Sequence, residues 1–225
     1  MHQLMPDTAS VLLPDTAVAR GLLLAGGRSQ RMGHDKRLLS VGGDPLVLRS
    51  FRLLEEVFGT PWVLVADQSD MDLLRPILGP SARFIPDSSP GAGPLFALRD
   101  ALSILDRNTS FLLASDMPAM TAGFIRELDQ LRRSLSPEPD ILLPRSDGHE
   151  QFTCAFYSRR VRDRLSRSIE NGCTSLHCFV ARSGLRISSP EFPPQRPSSH
   201  RDIFHNLNTP QDHARFLKEK EEHEG

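Results

Sequence analysis

The chain has 225 residues, 39% hydrophobic and 24% charged, with a formal net charge of -1. That length can bury a full core without disulfide or metal staples, and the near-neutral balance excludes a general polyanion binder, so no nucleic-acid partner is expected. No apolar run approaches the roughly 18 residues of a membrane span, so no membrane partner is expected either.

Residues 1–19 have no charged n-region and no clean apolar stretch, which argues against a secretory signal. The words MPDTA and LPDTA recur at Met5 and Leu13 but are too short to make a repeat architecture. The segment reads as a variable extension ahead of a domain over 20–217, with a charged tail over 218–225. Gly21–Ala25 is a strand, followed at once by a glycine loop bearing Arg28, Arg31, Lys36 and Arg37. DPLVLRSFRLLEEVFG has helical spacing and ends at Gly59. PWVLVAD is a strand ending at Asp67, SDMDLLRPIL a short helix capped by its serine, and ARFIPD a strand ending at Asp87. After the SSPGAG turn, Pro94 opens the helix PLFALRDALSIL. SFLLASD is a strand ending at Asp116, and Thr121 caps the helix that follows. DILLP and FTCAFYS read as strands, and RRVRDRLSRSIENG and TSLHCFVARSG as helices. A proline-rich surface loop then leads to a last helix opened by Thr209-Pro210.

This alternation predicts an α/β fold: a mostly parallel twisted sheet flanked by helices on both faces. In such a sheet the ligand lies at the carboxyl ends of the strands. The glycine loop and Asp67, Asp87 and Asp116 all fall at those ends, a pattern that fits a nucleotide with a divalent ion. Gly26, Gly27 and Gly33 permit close backbone approach to phosphate, and backbone N–H groups in such a turn can form an anion nest. Arginine grips phosphate as a fork and lysine as a point charge. Neither a Walker A loop nor a dinucleotide fingerprint is present. Arg28 and Arg37 read either as phosphate ligands or as ordinary exposed arginines, and Asp35 reads as the partner that orients Lys36. Pro118 stiffens the turn after Asp116, whose carboxylate can join phosphate oxygens and water around magnesium. The eight histidines are scattered and no nucleophilic triad is recognisable. The three cysteines, Cys154, Cys173 and Cys178, show no C-x-x-C and are expected to be free thiols in a cytoplasmic protein.

LLLAGGRSQRMGHDK, FIPDSSPGAGPLFAL, LLASDMP and FHNLNTPQD together resemble the Rossmann-like nucleotidyltransferases, and within them the molybdenum cofactor guanylyltransferases. The resemblance covers about residues 20–217. It implies that GMP passes from GTP to the phosphate of molybdopterin and that pyrophosphate leaves, with Mg2+ as cofactor. It further implies that Leu24, Ala25 and Gly26 line the nucleotide with their backbone, that Lys36 meets the phosphates, and that Asp87 helps hold the nucleoside. The loop itself adds Gly27 to the nucleotide contacts and the charge of Arg31 to the phosphate contacts. Asp116 would bind the metal and the triphosphate, and Asn206 and Asn208 would face the pterin. Protein partners in cofactor delivery are compatible with that role. Phe96 and Ala97 depart from the family's smaller Ala-Gly and add bulk beside the nucleotide. A cytidylyl- or sugar-phosphate nucleotidyltransferase, or a non-catalytic nucleotide carrier, stays open at this point.

Overall fold

The computed structural model describes residues 19–26, 35–192, 203–207 and 209–224. The expected N-terminal extension up to residue 18, the loop residues 27–34, the proline-rich 193–202 and Asn208 lie outside that set. Among the described residues, seven strands form the central sheet: β1 (Arg20–Leu24), β2 (Trp62–Val65), β3 (Arg83–Pro86), β4 (Thr109–Ala114), β5 (Ile141–Leu142), β6 (Cys154–Ser158) and β7 (Ile187–Ser188). Their order across the sheet is β7-β5-β6-β4-β1-β2-β3. β3, β2, β1 and β4 pair in parallel, β6 runs against both of its neighbours, and β7 is parallel to β5.

The inner strands β1, β2, β4 and β6 are buried on both faces, which explains why they read as continuous apolar runs. Successive side chains point to opposite sides of a strand. Leu23, Val63, Val65 and Leu113 therefore pack beneath α1 (Leu46–Phe58), α2 (Gln68–Leu78) and α4 (Ala122–Ser134). Leu22, Leu64, Ile85 and Leu112 pack beneath α3 (Pro94–Ile104), α5 (Val161–Glu170) and α6 (Leu176–Arg182). Leu22 and Leu23 are both fully buried, each worth about 1.5–3 kcal/mol of burial. The last helix, α7 (Pro210–Glu224), sets Phe216 in a smaller cluster with Val41, Leu46 and Leu207.

Sequence signals at the element ends hold in most places. Gly59 ends α1 with φ 74°, a conformation that a side chain would strain. Pro94 opens α3, and Thr121 caps α4 by accepting from the Phe124 N–H. α2 is a correction: its cap is Asp67, which accepts from the Asp70 N–H, while Ser69 lies inside the first turn and donates to Asp67. A carboxylate is the better acceptor for the exposed N–H groups of a helix start. The cysteines are a second correction. Cys173 and Cys178 form a disulfide, because the turn into α6 brings their Cα atoms to 5.7 Å, within bridging range. Cys154 is a buried free thiol. Two short antiparallel ribbons, Ser40–Val41 with Asp44–Pro45 and Arg145–Ser146 with His149–Glu150, were not signalled by any long apolar run.

From β1 the chain proceeds to β2 and β3 on one side, then crosses back to β4 on the other. β1 and β4 thus flank the topological switch point, and the crevice beyond their carboxyl ends is where such sheets take their ligands.

Candidate active site

Ala25 and Gly26 lead out of β1 into that crevice. Ala25 donates its N–H to the Leu64 carbonyl at 2.9 Å, and the Leu24 carbonyl accepts from the Ser115 N–H at 3.3 Å, so the strand end is tied on both sides. A Cβ on Gly26 would lie 3.2 Å from the Ala66 backbone N and 3.4 Å from the Val65 carbonyl carbon. Backbone gives way less readily than a side chain, so glycine is favoured here for close approach.

The chain re-enters the described residues at Asp35, which opens a short 3-10 turn, Lys36–Leu38. Lys36 Nζ meets Asp116 Oδ2 at 2.6 Å. The two residues are 80 positions apart, and the switch point is what brings them together. Asp35 does not orient Lys36 as expected; it accepts from the Arg37 backbone N–H and from the Arg37 guanidinium. The two neighbours face different ways because the 3-10 turn separates them by about a third of a revolution.

Asp116 Oδ1 is buried and has no hydrogen-bond partner. Asn206 Oδ1 is in the same condition. The segment carrying Asn206 reaches Asp116, since the Leu207 N–H donates to the Asp116 carbonyl at 3.0 Å. Unpaired buried acceptors are uncommon and mark a place for a donor or a cation. A carboxylate oxygen left over beside a lysine fits a hard cation such as magnesium, which takes one or two protein carboxylates and fills its shell with phosphate oxygens and water. Among the described residues no cluster of three or more His, Cys, Asp or Glu could hold a metal alone, so substrate oxygens would have to complete the shell.

The other two strand-end carboxylates are engaged differently. Asp67 is the α2 cap already described, a structural role set by the helix start and not the ligand role expected of it. Asp87 continues β3 by donating its N–H to the Val65 carbonyl at 2.8 Å, and its Oδ1 accepts from the Ser89 N–H at 2.8 Å. Burial pushes its carboxyl above the usual range; the Ser89 hydrogen bond opposes this, Asp100 adds to it and Arg99 opposes it. The loop is braced from α3, where Asp100 accepts from the Ser88 N–H and Arg99 donates to the Ser88 hydroxyl. Ala97 is buried in the core, and Phe96 packs against the same cluster with the Arg99 guanidinium 5.4 Å from its ring. The added bulk at these two positions is thus absorbed by packing.

Arg37 answers to neither reading offered for it. It is 2% exposed. Its Nη1 donates to the Ala25 carbonyl at 2.7 Å, Nε to Asp35 Oδ1 at 2.8 Å, and Nη2 to Asp35 Oδ2 at 2.5 Å and Asp70 Oδ1 at 2.8 Å. Asp70, also buried, accepts from the Ala66 N–H with its other oxygen. Burial alone would lower the guanidinium's proton affinity, but hydrogen bonds and charge from Asp35 and Asp70 outweigh it and hold the group above its ordinary value. Asp70 had a legible signal: Asp70, Leu74 and Leu78 form the i, i+4, i+8 stripe that α2 buries. A carboxylate on that stripe needs a cation.

Leu24, Ala25, Gly26, Lys36, Asp87, Asp116 and Asn206 are therefore all placed at the carboxyl end of the sheet. Gly27, Arg31 and Asn208 lie outside the described residues. Beside Asp116, a cleft of about 260 Å³ is lined by Met117, Pro118 and Met120 and by the α1 residues Arg49, Ser50 and Leu53.

Residues 21–186 match the MobA-like NTP transferase domain. The chain belongs to this family. It is 33% identical over 184 residues to a protein of Mycobacterium tuberculosis, covering 78% of this chain and 86% of that one. It is 32% identical over 197 residues to a protein of Pelotomaculum thermopropionicum, covering 86% and 89%. Both relatives carry the name "probable molybdenum cofactor guanylyltransferase". Among solved structures, molybdopterin-guanine dinucleotide biosynthesis protein A from Archaeoglobus fulgidus has the same fold, with a TM-score of 0.69 at 21% identity over 90% of this chain and 99% of that one.

Proposed function

We propose that the protein transfers GMP from GTP to the phosphate of molybdopterin. An oxygen of the acceptor phosphate attacks the α-phosphorus, the bond from that phosphorus to the bridging oxygen breaks, and pyrophosphate leaves. The substrate is itself the nucleophile, so no activated protein side chain is needed, in keeping with a site built from backbone, lysine and carboxylate.

The observation that carries this reading is the Lys36–Asp116 pair at the switch point, with Asp116 Oδ1 unpartnered. An ammonium has three donors; one meets Asp116, and the other two are available to phosphate oxygens. Ala25 and Gly26 present close-packed backbone to the nucleotide, and Asp87 at the head of its braced loop is the candidate nucleoside contact. Asp116 would hold Mg2+ through Oδ1, with Arg31 and Gly27 as further phosphate contacts and Asn206 and Asn208 toward the pterin. When bound, that ion neutralises charge on the α-phosphoryl and leaving oxygens. The work of the chain is in-line alignment and electrostatic support.

Thermal shift with each of the four nucleoside triphosphates, with and without Mg2+, tests the reading, since a ligand of the native state raises the midpoint. GTP with Mg2+ is expected to give the largest shift, and molybdopterin then to release pyrophosphate. Preference for CTP, or no release with molybdopterin, refutes it.

A further inference from the structure

We infer that Arg37 is a positioning residue for this site, setting where Lys36 stands by fastening its turn to the end of β1 and to α2. The inference rests on the proposed role of Lys36 in nucleotidyl transfer. One guanidinium reaches three elements: the Ala25 carbonyl at the β1 exit, the Asp35 carboxylate at the start of the Lys36 turn, and Asp70 on α2. Asp70 in turn accepts from the Ala66 N–H, and the Ala66 nitrogen lies where a Cβ on Gly26 would meet it. The nucleotide-lining backbone and the backbone of the phosphate lysine therefore share a single buried anchor.

Lys36 itself is a flexible side chain and partly exposed. Its reach to Asp116 depends on where its backbone begins, and both flanking residues, Asp35 and Arg37, are locked in the same ion cluster. The Lys36 carbonyl also accepts from the Leu39 N–H, and Asp35 accepts from the Leu38 N–H, closing the turn around it. A lysine cannot replace Arg37, because one ammonium on a flexible stem cannot span Ala25, Asp35 and Asp70 in fixed directions.

Simple truncation of Arg37 would strand the buried Asp70 carboxylate and unfold the protein for an uninformative reason. The test uses two safer variants: Arg37→Lys, which keeps the charge, and the double variant Arg37→Met/Asp70→Asn, which removes the buried pair together. Each is made with Lys36 present and in a Lys36→Ala background, and kcat/KM is read from pyrophosphate release. With Lys36 present the double variant is expected to lose about 30-fold, and in the Lys36→Ala background less than about threefold, the signature of residues acting as a unit. Equal losses in both backgrounds, or no loss with Lys36 present, overturn the inference. A readout independent of activity accompanies it: amide hydrogen exchange at Leu38 and Leu39 should quicken by at least ~10-fold in the double variant while β4 stays protected. Unchanged exchange overturns the anchoring role. A wild-type protein that releases no pyrophosphate would refute the transferase reading instead, and the exchange result would then judge Arg37 alone.

Discussion

Replacing Lys36 by alanine removes the one described cation that touches Asp116. Two of its three donors are available to a triphosphate, and a hydrogen bond from a charged group is worth about 1.5–3 kcal/mol. The Lys36 side chain is 23% exposed, so solvent screening places the sum near the lower end, about 3 kcal/mol. Only the part that grows as charge shifts to the leaving group raises kcat. At about 1.4 kcal/mol per tenfold, the expected loss in kcat/KM is about 10²-fold, as found for single electrostatic donors elsewhere. The variant also leaves both Asp116 oxygens without a partner, so the ligand-free protein should melt a few degrees lower, about 2–4 °C per kcal/mol in a chain of this size. Pyrophosphate release at varied GTP, together with a melting curve, separates the two effects. A change in kcat/KM below about threefold in a folded variant refutes the assignment of Lys36 and the magnitude built on it.

Asp116→Asn keeps shape and one acceptor oxygen but loses the charge a hard cation prefers; the Mg2+-dependent gain in GTP binding should vanish with turnover while GTP binding in EDTA persists, and calorimetry with ordinary magnesium dependence would contradict this. Gly26→Ala places a methyl 3.2 Å from the Ala66 N, and the forced backbone shift should cost about 1–3 kcal/mol and weaken GTP binding, both read by denaturant titration and calorimetry. Asp87 has its folded pKa raised, chiefly by burial, so its ionised form is disfavoured in the folded state and its contribution is lost as pH rises from the unfolded value through the folded one. Asp87→Asn should then be at least as stable as wild type at neutral pH, with the gap closing as acid protonates Asp87; a gap that widens toward low pH would reverse the sign.

Strand and helix alternation was readable because buried parallel strands write themselves as apolar runs and because Gly59, Pro94 and Thr121 each mark an end by local chemistry. The position of Asp116 was readable for the same reason: it directly follows such a run. What escaped were contacts made by topology. Arg37 looks like a loop arginine until α2 brings Asp70 to it from 33 residues away. Asp67 looked like one more ligand because a strand-end aspartate and a helix cap are written alike when the strand leads straight into a helix. The Cys173–Cys178 bridge depends on how tightly the chain turns into α6, which their separation of five residues does not determine.

The hydrogen bond from Leu207 to the Asp116 carbonyl has a consequence for the order in which the molecule is finished. A chain grows from its amino end, and its early parts can fold before its late parts exist. β1 to β4 and the lysine turn are all made while the segment over 203–207 is still untranslated. The carboxyl edge of β1 to β4 can therefore take shape on the nascent chain before the segment that donates to the Asp116 carbonyl has been added.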